Sequence, residues 1–228
     1  MKLIYDGKTK TLYDIGDGYC QLYFKDDMTG ENGVFDPGAN TVGLTVEGAG
    51  KAGLAMSAYY FRLIADKGCP THFVDADLEN RTMTVKPAKV FGDGLEVIVR
   101  YKAMGSFIKR YGGYVSEGTP LGAVLETTLK DDQRNDPLIN EDALLALGVL
   151  KAGEYQELSA VAKRICLIIK EDLAAKGLDL RDIKLEFGRG GDGGILLIDE
   201  LSGGNMRVYE GDKALSPFEL TKKVLATG

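Results

Sequence analysis

The chain has 228 residues, of which 44% are hydrophobic and 27% charged, with a net charge of −6 and a pI near 5.0. That length can bury the core of one large domain or of two closely packed lobes, and the acidic balance argues against a general binder of nucleic-acid backbones. The scattered cysteines Cys20, Cys69 and Cys166 lack metal-ligand spacing and fit buried thiols in a reducing compartment; Met1–Asp6 lacks the apolar run of a signal peptide, no segment reaches the length of a membrane span, and the expected location is the cytoplasm.

The first part reads as β-rich. Leu3-Ile4-Tyr5 and Thr11-Leu12-Tyr13 flank the turn Asp6-Gly7-Lys8-Thr9-Lys10, and Cys20–Phe24 forms a further strand before Lys25-Asp26-Asp27 and a glycine-rich loop. The turn's glycine and two lysines could cradle phosphates, although a basic hairpin turn is more often simply solvated. From about Gly50 to Lys67, Leu54, Ala58, Phe61 and Ile64 recur at helical spacing, with Gly68 placed to end the helix and Pro70 barring its continuation. His72, in a loop or strand start, is the only histidine, so triad hydrolysis and histidine-ligated zinc are poor hypotheses. The chemistry must then use carboxylates, lysines, arginines, backbone groups or a hard metal ion. Arg81–Lys86 and Leu95–Arg100 read as strands.

Within Arg100–Arg110 an acidic protein concentrates Arg100, Lys102, Lys109 and Arg110 around Gly105-Ser106. Guanidinium forks match carboxylates and phosphates, and a Gly-Ser turn adds donors; the plainer reading is an exposed basic helix start. Lys130–Pro137 reads as a charged surface loop or as a flap closing over a substrate. Asn140 is placed to cap a short helix ending at Gly148, and Leu158, Val161, Ala162, Ile165, Ile169 and Leu173 stripe a longer one ending at Gly177. Ser216-Pro217-Phe218-Glu219 is a capping box that opens a terminal helix.

Between these helices lies the sharpest local signal, a hairpin of Asp182–Phe187 and Ile195–Glu200. Alternation puts Asp182, Lys184 and Glu186 on one face and Ile183, Leu185 and Phe187 on the other. The apolar partner strand ends in Asp199-Glu200, and alternation should aim only one of the two at a given face. Glu186 with one of that pair could hold magnesium, which usually takes one or two carboxylates plus substrate phosphates. Spacing alone leaves this open against a solvent-facing strand with ordinary salt bridges. The fold class expected is α+β, a β-rich lobe over residues 1–93 and a mixed lobe over 94–228, with a ligand cleft between.

In order along the chain, Tyr5–Lys10, Val99–Arg110, Asp132–Glu141, Lys184–Gly188 and the Asp199–Arg207 stretch resemble the SAICAR synthetase (phosphoribosylaminoimidazole-succinocarboxamide synthase) family. The resemblance implies a two-lobed fold with a central ATP cleft and a ligase that joins L-aspartate to the carboxylate of an aminoimidazole ribonucleotide. ATP would become ADP and phosphate, by way of an acyl phosphate because a carboxylate oxygen is a poor leaving group. It further implies Lys8 and Lys10 at the ATP phosphates, Lys86, Val90 and Glu96 on the nucleotide side, and Glu186 and Asp199 as magnesium ligands. Arg100, Ser106 and Arg207 would bind the ribonucleotide phosphate, Asp182 and Lys184 would lie near the imidazole carboxylate, and Lys109 and the 130–136 loop would serve aspartate. A small-molecule kinase with a related ATP lobe is the alternative. The implied partners are these small molecules, with no nucleic acid or membrane, and a homodimer is compatible. The chain departs from the family where Gly203-Gly204 replaces Pro-Asp, which should loosen the turn that aims Arg207.

Overall fold

The computed structural model describes residues 1–31, 34–35 and 41–226. The first sheet contains β1 (Lys2–Asp6), β2 (Lys10–Gly16) and β3 (Tyr19–Phe24). Next come β4 (Asp27–Glu31), β5 (Val34–Phe35), β6 (Val42–Thr45) and helix α1 (Ala49–Asp66). Strands β7 (Phe73–Asp77), β8 (Thr82–Val85), β9 (Lys89–Val90) and β10 (Leu95–Lys102) lead to α2 (Ser106–Tyr111) and β11 (Pro120–Leu129). Helices α3 (Glu141–Ala146) and α4 (Glu154–Ala175) precede β12 (Asp179–Arg189), β13 (Ile195–Ile198), β14 (Met206–Glu210), β15 (Lys213–Ala214) and α5 (Pro217–Leu225).

The β-rich part is a five-stranded sheet in the order β1-β2-β3-β8-β7, with a separate three-stranded sheet β5-β4-β6. The expected loop after Lys25 is therefore partly a sheet. Its signal is hidden because small and polar residues alternate there, and Gly43 lets β6 close on β4: a Cβ at Gly43 would lie 2.4 Å from the Gly30 carbonyl carbon. The second large sheet runs β11-β10-β12-β14-β15, with β9 and β13 also paired to β12.

The helices form where the apolar spacing places them. In α1, Leu54, Ala58, Phe61 and Ile64 are buried, and Gly68 at φ 74° ends the helix, with Gly68 and Cys69 N–H groups bonding the carbonyls of Ala65 and Ile64. In α4, Leu158, Ala162, Ile165, Ile169 and Leu173 are buried against Ile183, Leu185 and Phe187 of the sheet. Asn140 accepts a hydrogen bond from the Ala143 N–H at the start of α3, and Ser216 and Glu219 complete the capping box of α5. One apolar cluster joins α1, α4 and both large sheets. Among the described residues no helix is long and apolar enough to cross a membrane.

Candidate active site

Strand β12 is the floor of the site. It pairs antiparallel with β10, setting Glu96 opposite Glu186, Ile98 opposite Lys184 and Arg100 opposite Asp182, and with β13, setting Glu186 opposite Ile198. Gly188 admits β9, because a Cβ there would come within 3.0 Å of the Lys89 carbonyl oxygen. The apolar side chains of β12 enter the core, and Lys184 and Glu186 line a cleft, so the strand is not simply solvent-facing.

Like charges facing across a ladder repel, and two lysines answer the Glu96–Glu186 pair. Lys184 Nζ donates to Glu96 Oε1 at 2.7 Å, and Lys130 Nζ reaches from the loop after β11 to Glu186 Oε1 at 2.8 Å. Glu96 is buried and accepts a further bond from Thr128 Oγ1 at 2.8 Å.

Both acids that end β13 meet Lys10, whose Nζ lies 2.5 Å from Glu200 Oε1 and 3.3 Å from Asp199 Oδ1. Alternation was expected to aim only one of them at the cleft. It fails because the strand ends at Ile198 and Asp199 takes a left-handed φ of 66°, which turns the chain and brings both carboxylates to one lysine. Burial opposes the charge on Lys10, but Asp199 and Glu200 outweigh it and raise its pKa. Burial, and then the neighbouring Asp199 carboxylate, push the Glu186 carboxyl above the usual range. Burial also works against a charged Asp199, yet Lys10 and Lys130 more than offset it and hold that carboxyl low.

These residues line a cleft of about 760 Å³ between the two large sheets, with Lys8, Lys86, Val90, Glu96, Lys184 and Glu200 on its walls. Across its mouth Lys8 Nζ bonds Asp132 Oδ2 at 2.6 Å, joining the 7–10 turn to the 130–136 loop. His72, a residue that spacing left without a role, also lines the cleft. Its backbone is paired to Leu197, its ring bonds the Asp199 backbone, and its buried Nε2 meets no partner among the described residues. Burial drives its pKa down to about 4.

A second cluster lies farther along β12 and is not part of that cleft wall. Arg100 is almost fully buried, donating to Glu126 Oε2 at 2.6 Å, Asp182 Oδ2 at 2.9 Å and Ser106 Oγ at 2.9 Å. Arg207 Nη1 bonds Asp182 Oδ2 at 2.9 Å, its guanidinium passes over Gly105, and Arg110 bonds Glu126 at 2.7 Å. Arg100, Ser106 and Arg207, which the family resemblance groups together, thus meet around Asp182, whereas Lys109 projects outward from α2, exposed and apart from the cleft. Glu126 was missed with its strand. A single charge beside a glycine and two threonines breaks the apolar alternation, and the pairing with β10, which sets Ile98 opposite Glu126 and Arg100 opposite Val124, gives its place.

A family model described as SAICAR synthetase matches residues 3–225. A phosphoribosylaminoimidazole-succinocarboxamide synthase from Clostridium tetani is 53% identical over 226 residues, covering 99% of this chain and 100% of its own length. A solved SAICAR synthetase (type 2) in complex with ADP superposes with a TM-score of 0.84 at 29% identity, covering 100% of this chain and 91% of its own. The corresponding synthase from Ehrlichia chaffeensis gives 0.83 at 26% identity, covering 100% and 92%. Fold and cleft together define a two-lobed α+β ligase. The chain belongs to the SAICAR synthetase family.

Two stability predictions follow from the geometry. The His72 pKa lies near 4 in the folded chain against 6.5 for an ordinary histidine, so between those values the unfolded chain binds more protons. Stability from this group is full above pH 6.5 and is lost as pH falls towards 4, by on the order of 3 kcal/mol. Urea unfolding at pH 7 and pH 4.5 should show that loss, and His72→Asn should flatten this part of the profile. Arg100→Ala leaves two buried carboxylates short of a partner and should cost about 3 kcal/mol, seen as a lower urea midpoint.

Proposed function

We propose that this chain catalyses the ATP-dependent joining of L-aspartate to the carboxylate of 5-amino-1-(5-phospho-D-ribosyl)imidazole-4-carboxylate, giving SAICAR, ADP and phosphate in purine biosynthesis. The observation that carries this reading is the convergence of Lys10, Lys130, Glu186, Asp199 and Glu200 at one end of the cleft, in a chain matched by the family over residues 3–225. The comparisons lend the kinase alternative no support. Residues 1–93 act as the nucleotide lobe and 94–228 as the substrate lobe, in the cytoplasm where these metabolites are made.

The chemistry divides into two displacements. A carboxylate oxygen of the imidazole attacks the γ-phosphorus of ATP, and the bond to the bridging oxygen of ADP breaks. The aspartate amine then attacks the acyl carbon, phosphate leaves and the amine gives up a proton. Lys8 and Lys10, on the 7–10 turn, bind the polyphosphate. Lys184, held by Glu96, offsets the charge of the reacting carboxylate. Arg100, Ser106 and Arg207 hold the ribonucleotide phosphate around Asp182, at a distance along β12 from the phosphoryl end. Val90 and Lys86 border the adenine side. Lys130 and the rest of the 130–136 loop serve aspartate, whereas Lys109, exposed on α2 and apart from the cleft, is given no part in it.

Among the described residues no group of three or more histidine, cysteine or acidic side chains could hold a metal. The pair Glu186 and Asp199 nonetheless suits magnesium, which usually takes one or two carboxylates and completes its shell with water and phosphate oxygens. The upward push of Asp199 on the Glu186 carboxyl is the like-charge crowding that a divalent cation relieves. When bound, magnesium supplies positive charge to the phosphoryl oxygens during transfer.

The purified protein, given the ribonucleotide and magnesium-ATP, should form SAICAR only when L-aspartate is present. ADP release of equal rate without aspartate would instead support a kinase. Glu186→Gln should lower turnover by roughly 100-fold or more with an unchanged melting temperature, and near-normal turnover would remove Glu186 from the metal site.

A further inference from the structure

The turn that carries Asp199 and Glu200 is held in an unusual way. Asp199 keeps a left-handed φ of 66°, a conformation that costs a non-glycine residue on the order of 1 kcal/mol and persists only where its surroundings over-determine it. Those surroundings converge on Asn205. Its Nδ2 donates to the Glu200 carbonyl at 2.8 Å and to the Lys184 carbonyl at 2.9 Å, and its Oδ1 accepts the Ser202 N–H at 2.9 Å. Its own carbonyl accepts the Lys184 N–H at 2.8 Å. Both amide hydrogens and the amide oxygen are thereby used.

We propose that Asn205 is a positioning residue, whose side chain ties the turn bearing Asp199 and Glu200 to the backbone of Lys184 and so sets the acids and the lysine of the cleft in register. Without Pro-Asp at residues 203–204 the turn was expected to be loose, and it is not. Gly203 packs against the start of α5, where a Cβ would lie 2.6 Å from the Pro217 Cα. The Gly204 N–H bonds Ser202 Oγ at 2.9 Å, and the Leu201 N–H bonds Ser57 Oγ of α1 at 3.1 Å. These contacts anchor the turn from outside, and among the described residues the hydrogen bonds that link it to β12 are those of Asn205. A proline ring at 203 would not fit against Pro217, so in this chain the amide takes over the role of a rigid turn.

The catalytic part of this inference rests on the ligase reading; the tie does not, and the test separates them. Asn205→Ala removes the three side-chain bonds and Asn205→Asp removes the two donated ones while adding a carboxylate beside two carbonyls. Asn140→Ala, which uncaps α3 outside the cleft, is the control of comparable stability loss. Hydrogen exchange should show peptides spanning Lys184 and residues 199–206 losing protection in both Asn205 variants and not in the control. Unchanged protection in Asn205→Ala would disprove the tie. In the SAICAR assay kcat should fall roughly 10- to 100-fold, more for Asp than for Ala, with KM for ATP and for the ribonucleotide within threefold of wild type. A kcat within twofold of wild type in either variant, or an equal fall in Asn140→Ala, would overturn the positioning role. Absence of SAICAR from the wild-type protein would instead remove the ligase reading, with hydrogen exchange still deciding the tie.

Discussion

The site depends on one constraint, that β12 must satisfy neighbours on both edges and both faces at once. Its edges are taken by β10 and β9 on one side and by β13 and β14 on the other. One face sends Ile183, Leu185 and Phe187 into the core shared with α4, which fixes register, because a slip of one residue would put these side chains in the cleft and three charges in the core. With register fixed, Asp182, Lys184 and Glu186 are delivered to the opposite face about two strand residues apart. Everything else in the site is built around those three stations.

That delivery creates an electrostatic problem. Glu96 faces Glu186 across the ladder, and Glu186 stands beside Asp199. The structure answers with lysines from separate elements: Lys184 from β12 itself, Lys130 from the loop after β11 and Lys10 from the end of the first turn. Ion pairs of this kind contribute little net stability, because desolvation offsets attraction. On the ligase reading they keep the cleft ordered without ligands, and a polyphosphate entering it would draw the lysines away and leave the carboxylates to a cation. The Arg100 cluster is different. There the guanidinium is almost fully buried and bonded at all three nitrogens, which makes it part of the fold as well as of the site.

Much of this was legible because it is local. The α1 and α4 stripes, the Asn140 cap, the α5 capping box and the β12–β13 hairpin are each set by residues near one another in sequence, and each appears where the spacing puts it. What was not legible is non-local. Strand β11 begins at a proline, contains Gly122 and carries Glu126 and two threonines, so it shows no apolar alternation; it is a strand because β10 lies alongside it. The β4–β6 sheet depends on two glycines meeting across strands, which no spacing within either segment announces. His72 was equally opaque, since its place in the cleft comes from the pairing of Thr71 and His72 with Leu197, more than a hundred residues away.

The acid pair that ends β13 carries the more general lesson. Period-two alternation is a property of extended backbone, and it assigns faces correctly from Asp182 to Phe187 because β12 stays extended there. At Asp199 the chain leaves the extended region, and alternation stops applying at the residue where it was needed to choose between Asp199 and Glu200. The departure is no accident of a loose end. A strand that continued would send one acid to the cleft and the other to the opposite face, whereas the left-handed turn gives Lys10 both. Local rules of this kind fail most at functional positions, because a site needs side chains that a regular element cannot present together. The cost is backbone strain, and it is borne here by contacts from His72, Ser57 and Asn205, residues that sit on a connecting segment, on a helix and in a turn.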